Sequence, residues 1–108
     1  MSLDSRTDPS CGRLLITATG RFDTESCEQL RKQLKRTLRG TGQSVVVDLS
    51  RMRTEDTNVD FLAVAIVAAA ADKTKVSGGS LRLVTSNSDI DDIIDSAGRH
   101  ELTGVGRV

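Results

Sequence analysis

The stretch Val45-Val46-Val47-Asp48-Leu49-Ser50-Arg51-Met52-Arg53-Thr54-Glu55-Asp56-Thr57-Asn58-Val59-Asp60-Phe61-Leu62 decides the fold. Its first part, residues 45–49, is a nearly continuous apolar run of the kind that forms a central parallel strand. Polar residues 50–56 make a connection. Residues 61–71 are then apolar almost all round, which predicts a helix that begins near Thr57 and runs to about residue 75.

The flanking sequence repeats this alternation. Upstream, residues 13–19 are apolar and β-branched, as in a buried strand, and Gly20 closes them. Asp23 or Thr24 then caps a helix that carries Cys27, Leu30, Leu34 and Leu38 at spacings of three and four and ends at Gly40. Arg31, Lys32, Lys35, Arg36 and Arg39 crowd its second half. Positive charge there complements the helix dipole and solvates the outer face; a basic docking patch is the other reading. Downstream, Ser77-Gly78-Gly79 breaks the chain before a strand at residues 80–85. Asn87 or Ser88 caps a last helix, with Ile90, Ile93, Ile94 and Ala97 on one face and Gly98 at its end. Strands alternating with helices imply an α/β fold: a mixed, mostly parallel β-sheet flanked by α-helices at about 24 to 39, 57 to 74 and 88 to 98. Residues 1–12 are a polar segment able to supply a short edge strand before a turn at Pro9-Ser10-Cys11-Gly12.

Composition narrows the function. A chain of 108 residues is the size of one domain, with little interior to spare for a deep substrate cleft, so binding is the better expectation than catalysis. Fifteen basic and fifteen acidic residues cancel, and the aromatics are Phe22 and Phe61 alone. No net field and no stacking platform favour nucleic acid as a partner. Two cysteines and the lone His100 do not make a zinc site, and no metal or cofactor is expected. The reading places Cys11 and Cys27 near opposite ends of a strand roughly 17 Å long, beyond the roughly 7 Å that a disulfide spans. Reduced cysteines and the lack of a secretory pattern at the N-terminus suggest a cytoplasmic protein. The longest apolar run falls short of the about 20 residues that cross a bilayer. No phosphate-binding loop, nucleophile elbow, dinucleotide fingerprint or metal-binding His pair is present, and His100 reads as a surface residue.

A strand ending in Asp48-Leu49-Ser50, a loop, and Asp56-Thr57 at a helix start resemble the STAS domain of anti-sigma factor antagonists. Gly20-Arg21-Phe22-Asp23 is similar to that family's Gly-x-Leu/Phe-Asp, residues 78–84 to its Gly-x-x-Leu-x-Leu-Val strand, and Ile94-Asp95-Ser96-Ala97-Gly98 to its closing Leu-x-x-x-Gly. The resemblance implies one STAS-like domain over residues 13–108, without catalytic activity. It also implies a partner, an anti-sigma factor that is a serine-threonine kinase, which phosphorylates the hydroxyl residue after the loop Asp. Asp56 lies eight residues after Asp48, the family's interval, so Thr57 takes the phosphoacceptor position. Val59 stands where Gly is usual, Asp60 where Leu is usual, and Thr54-Glu55 replace an apolar pair. These departures mark an altered partner or hinder phosphorylation. Thr57-x-x-Asp60 is also a variant capping box, with the Thr57 hydroxyl on the Asp60 amide and the carboxylate reaching back.

Two functions of different class are consistent with the resemblance. One is an anti-sigma factor antagonist working in a partner switch set by Thr57. The other is an accessory or scaffold subunit of a larger complex, a lipid-transport ATPase or a stress-sensing assembly, without a phospho-switch. A third reading, a hydrolase holding Mg²⁺ between Asp48, Asp56 and Asp60, requires those carboxylates to converge. The expected partner-binding residues are Asp23, Ser50, Asp56, Thr57, Asn58, Val59 and Asp60. To these the long helix adds Val64 and Val67: with Phe61, Leu62, Ala65, Ile66 and Ala69 packed on the sheet, Val64, Val67, Ala68 and Ala71 would remain in water as an interface, for a partner or a homodimer.

Overall fold

The computed structural model describes residues 2–7, 13–38, 42–54, 56–86, 88–99 and 102, with the side chains of residues 57, 88 and 89 outside that set. The turn expected at Pro9 to Gly12, Gly40, Glu55, Asn87 and His100 also lie outside it. Along the chain run β1 (Ser2–Thr7), β2 (Leu14–Arg21), α1 (Thr24–Thr37), β3 (Ser44–Arg53), α2 (Thr57–Val76), β4 (Ser80–Val84) and α3 (Ser88–Ser96). The strands stand in the order β1-β2-β3-β4. β1 is antiparallel to β2, and the other two pairs are parallel. Leu14 faces Val45, and Val45 faces Leu81, so residues 45–49 form the inner strand that their composition predicts.

The connections β2-α1-β3 and β3-α2-β4 step across the sheet in one direction, and same-handed crossovers of this kind put both helices on the same face. The burial pattern agrees. Ile16, Ala18, Val45, Val47, Leu81 and Leu83 point into the core, where they join Leu30 and Leu34 of α1, Val67 of α2, and Ile90 and Ile94 of α3. Their neighbours in sequence, Leu15, Thr17, Val46 and Asp48, are half-buried, and Arg82 is exposed. Gly79 permits the close return from α2 to β4: a Cβ there would lie 2.2 Å from the Gln43 carbonyl oxygen. The Ser80 N–H donates to that same carbonyl at 2.8 Å.

β3 runs four residues past its expected end at Leu49, to Arg53. The extension depends on a bulge. Thr17 pairs with Asp48 and Thr19 with Arg51, so Leu49 and Ser50 together oppose Ala18. One extra residue reverses the alternation of side chains. Val45, Val47 and Leu49 face inward before it, and Met52 faces inward after it. Without the bulge Met52 would point to solvent and Arg51 into the core, which is why the polar look of residues 50–53 hides a strand.

The long helix sits on the sheet through a different face from the one its large side chains suggest. Val59, Ala63, Val64, Val67 and Ala71 are buried, whereas Phe61 is 55% exposed and Leu62 44%. Ala65 and Ala69 are exposed as well, and Ile66 is half-buried. Val64 and Val67 therefore belong to the core and not to a surface strip. The wet face continues by helical spacing from Asn58 through Phe61, Ala65 and Ala69 to Asp72, and polar residues at both ends hold it in water. The buried face, by contrast, starts at Val59 and ends at Thr74, whose hydroxyl donates to the Ala70 carbonyl at 2.7 Å. In urea unfolding, Val67→Ala should cost about 2 kcal/mol, from two lost methyl groups and the space they leave. Phe61→Ala should stay within about 0.5 kcal/mol of wild type. The reverse order would mean that α2 is rotated the other way.

Candidate functional site

The candidate site is built at the carboxyl ends of the parallel strands, the side of an α/β sheet where turns into helices leave side chains and amides open to a partner. Three turns meet there, and each is fastened to the next. The Phe22 N–H donates to the Arg53 carbonyl at 2.7 Å, joining the β2–α1 turn to the end of β3. The Ser86 hydroxyl donates to the Ser50 carbonyl at 2.8 Å, joining β3 to the chain after β4. The Cys27 thiol of α1 reaches the Val59 carbonyl in the first turn of α2, at 4.0 Å.

Asp23 is the N-cap of α1. Its Oδ1 accepts from the Ser26 N–H and from the Ser26 hydroxyl, each at 2.9 Å. Those two hydrogen bonds, backbone first, hold its carboxyl below the ordinary aspartate value of 3.8. At the bulge, Asp48 Oδ1 accepts both the Ser50 N–H, at 2.9 Å, and the Ser50 hydroxyl. Ser50 is thereby committed on its amide, hydroxyl and carbonyl, and it works as a fastener of the strand end more than as an open contact.

α2 begins at Thr57 with Asp56 as its N-cap, the Asp56 carboxylate accepting the Asn58 N–H at 2.9 Å. The cap is Asp56 and not Thr57, the residue that heads the capping box expected from the sequence. The Asp60 amide donates to the Asp56 carbonyl at 3.2 Å, and the Asp60 carboxylate accepts the Thr54 hydroxyl. Asp60 is 2% exposed and Val59 4%, so neither side chain offers itself to a partner. The two departures at these positions act on the inner packing of the helix start and do not alter its outer surface. Asp23, Asp56 and Asn58 are exposed. The Thr57 side chain lies outside the described residues. Phe61 and Leu62, expected on the sheet face by their three-and-four spacing with Ala65, Ile66 and Ala69, are instead the large apolar groups that face solvent one turn into α2.

Asp48, Asp56 and Asp60 do not converge as a magnesium site would require: each carboxylate is spent on a different local bond. Among the described residues no group of three or more His, Cys, Asp or Glu is placed to hold a metal ion. Among them, too, no helix is long and apolar enough to cross a membrane. Cys27 is a free, buried thiol, and desolvation followed by the nearby Asp23 charge pushes it up to about 11.

Residues 5–104 match the family model described as Mlab, STAS domain. The chain belongs to the STAS domain family. Three of the solved structures similar to this STAS domain are anti-sigma factor antagonists. The antagonist SpoIIAA in its unphosphorylated form superposes with a TM-score of 0.69 at 14% identity, over 95% of this chain and 84% of that one. An anti-sigma factor antagonist from Mycobacterium paratuberculosis gives 0.66 at 17% identity, over 90% and 79%. The STAS domain of an antagonist from Rhodobacter sphaeroides gives 0.56 at 22% identity, over 77% and 84%. At these identities the likeness is one of fold. No curated protein matches the sequence.

The bonds around the site set two measurable properties. Because the Asp23 carboxyl is depressed in the folded state, its contribution is complete above the unfolded value near 3.8 and is lost as pH falls through the lower folded value. Asp23→Ala should therefore lower the unfolding midpoint at pH 7 and draw level with wild type in strong acid. A constant gap across that range would mean that Asp23 acts other than through its charge. In a Cys11→Ser background, Cys27 should react with a disulfide reagent at pH 8 far more slowly in the native protein than after unfolding, since only the thiolate attacks.

Proposed function

We propose that this STAS domain is an anti-sigma factor antagonist that binds an anti-sigma kinase through the start of α2 and is released when that kinase phosphorylates Thr57. The observation that carries the reading is the exposed apolar pair Phe61 and Leu62, set one turn beyond the Asp56-Thr57 helix start. Large apolar groups held in water on a fixed helix are what a protein partner buries. Asp56 and Asn58, exposed at the start of the same helix, supply polar groups beside them. The fold likeness to antagonists supports the same reading, as does the position of Thr57 directly after Asp56, which lies eight residues beyond Asp48.

The switch follows from charge. The kinase transfers the terminal phosphoryl group of ATP to the Thr57 hydroxyl, whose proton leaves, and ADP departs. A phosphate adds about −1.5 to −2 charge at pH 7. At the helix N-terminus that charge meets the positive end of the dipole and is tolerated by the domain itself. Across the interface it stands beside Asp56 and costs a partner that had bound the neutral hydroxyl. A cytoplasmic setting, where ATP and the kinase are present, goes with this function.

With the cognate anti-sigma kinase and ATP, phosphate should appear on Thr57 and be absent from Thr57→Ala, and Thr57→Glu should weaken the complex. Phe61→Lys with Leu62→Lys should reduce affinity by at least about tenfold, the loss expected of central apolar anchors, while the unfolding midpoint stays near wild type. Tight binding by that double variant, or phosphate on another residue, would overturn the proposal.

A further inference from the structure

The basic second half of α1 is left unused by the interface around Thr57. Lys35 and Arg31 stand on one side of a groove of about 150 Å³ between α1 and α2, and Lys73 of α2 stands on the other. The floor is apolar, made by Leu34 of α1, by Leu38 at that helix's C-cap, and by Ile66 and Ala70 from α2. Among the described residues three cations rim it and no carboxylate lines it. Arg31 is paired with Glu28, but among the described residues Lys35 and Lys73 have no ion-pair partner. Dipole compensation accounts for positive charge at a helix end. It accounts for Lys35 and Lys73, each in the last turn of its helix, but does not by itself set them on opposite lips of one apolar groove.

We propose that this groove docks an acidic amphipathic helix of a protein partner. The groove lies beside the exposed face of α2, and its α2 lining from Ile66 to Lys73 is about 11 Å long at the helical rise, room for about two turns of a docked helix. A helix laid between two others fills a ridge-and-groove surface and presents apolar residues at i, i+3, i+4 and i+7. With Leu34 and Ile66 below and Lys35 and Lys73 at the lips, the helix that fits carries aliphatic residues on its inner face and carboxylates along both flanks. This surface does not depend on Thr57 or on the phospho-switch.

Two labelled synthetic helical peptides test the proposal. Both carry leucine at i, i+3, i+4 and i+7; one has glutamate on its flanks and the other lysine. The glutamate peptide should bind the whole protein and weaken as salt is raised, and its resonance shifts should centre on Ala69, Ala70 and Lys73. Lys35→Glu with Lys73→Glu should cost it about tenfold, as two reversed rim charges do, with an unchanged circular dichroism spectrum. The same double variant should bind the lysine peptide better than wild type does, a gain that a misfolded protein would not show. Thr57→Ala should bind the glutamate peptide as wild type does, so failure here and failure of the kinase reading are separable. Equal binding of both peptides, shifts centred on the open sheet face, or binding that ignores the charge reversals would overturn it. So would co-sedimentation with phosphatidylglycerol vesicles by wild type and not by the double variant, with the glutamate peptide leaving the groove unmoved: the cations would then belong to a membrane contact.

Discussion

The seating of Ala63 and Val67, both fully enclosed in the core that also holds Ile16 and Val47, sets the rotation of α2 about its axis. Ala63 allows the helix to come close to the strands, and Val67 fills the space between helix and sheet. With that face inward, the positions of the other α2 side chains follow from the 3.6-residue period. Val59 and Asp60 are drawn under the first turn, Phe61 and Leu62 are turned out, and Ile66 and Ala70 are left at the edge that meets α1. The open apolar pair and the groove between the helices are thus two outcomes of one packing contact.

The bulge in β3 has a similar reach. By adding one residue opposite Ala18 it carries the strand to Arg53 with Met52 facing inward. The carbonyl of Arg53 is then placed to receive the Phe22 amide, and Thr54 to donate its hydroxyl to Asp60. Asp48 beside the bulge accepts from Ser50 within it, leaving the Ser50 carbonyl for Ser86. A straight strand would have ended the sheet sooner and left α2 to start from an untethered loop.

Much of this was legible in the residues. The apolar run at 45–49, the Asp23 cap, the Leu30 and Leu34 stripe and the turn at Gly78-Gly79 carry their own local signals, and those elements stand where they were expected. The bulge was not legible, because Ser50 and Arg51 have the composition of a loop and nothing in a single sequence shows a strand changing phase. The facing of α2 was misjudged for another reason. In a helix apolar nearly all round, spacing by three and four fits more than one face, and it set Phe61 and Leu62 inward, although a signal was present: continued by three and four, their stripe ends on Asn58, Asp72 and Lys73, while that of Val59 ends on Thr74. Polar ends mark the wet face where apolar spacing alone does not choose. The roles given to Thr57 and its neighbours depended on resemblance, since a hydroxyl beside an aspartate at a helix start is equally the chemistry of a cap.

On the proposed reading, the first turn of α2 is a poor place for a conformational switch and a good one for an electrostatic one. Val59 is buried, its carbonyl faces the Cys27 thiol, and Asp60 is enclosed with Thr54. Shifting this turn would expose an aliphatic side chain and strip a buried carboxylate of its hydroxyl partner, which costs more than a phosphate gains from the helix dipole. A phosphate on Thr57 therefore leaves the domain in place and changes only what a partner meets, namely new negative charge next to Asp56 and within a turn of Phe61. Recognition and release can then share one rigid surface, with the apolar pair supplying the attraction and the phosphate supplying the repulsion.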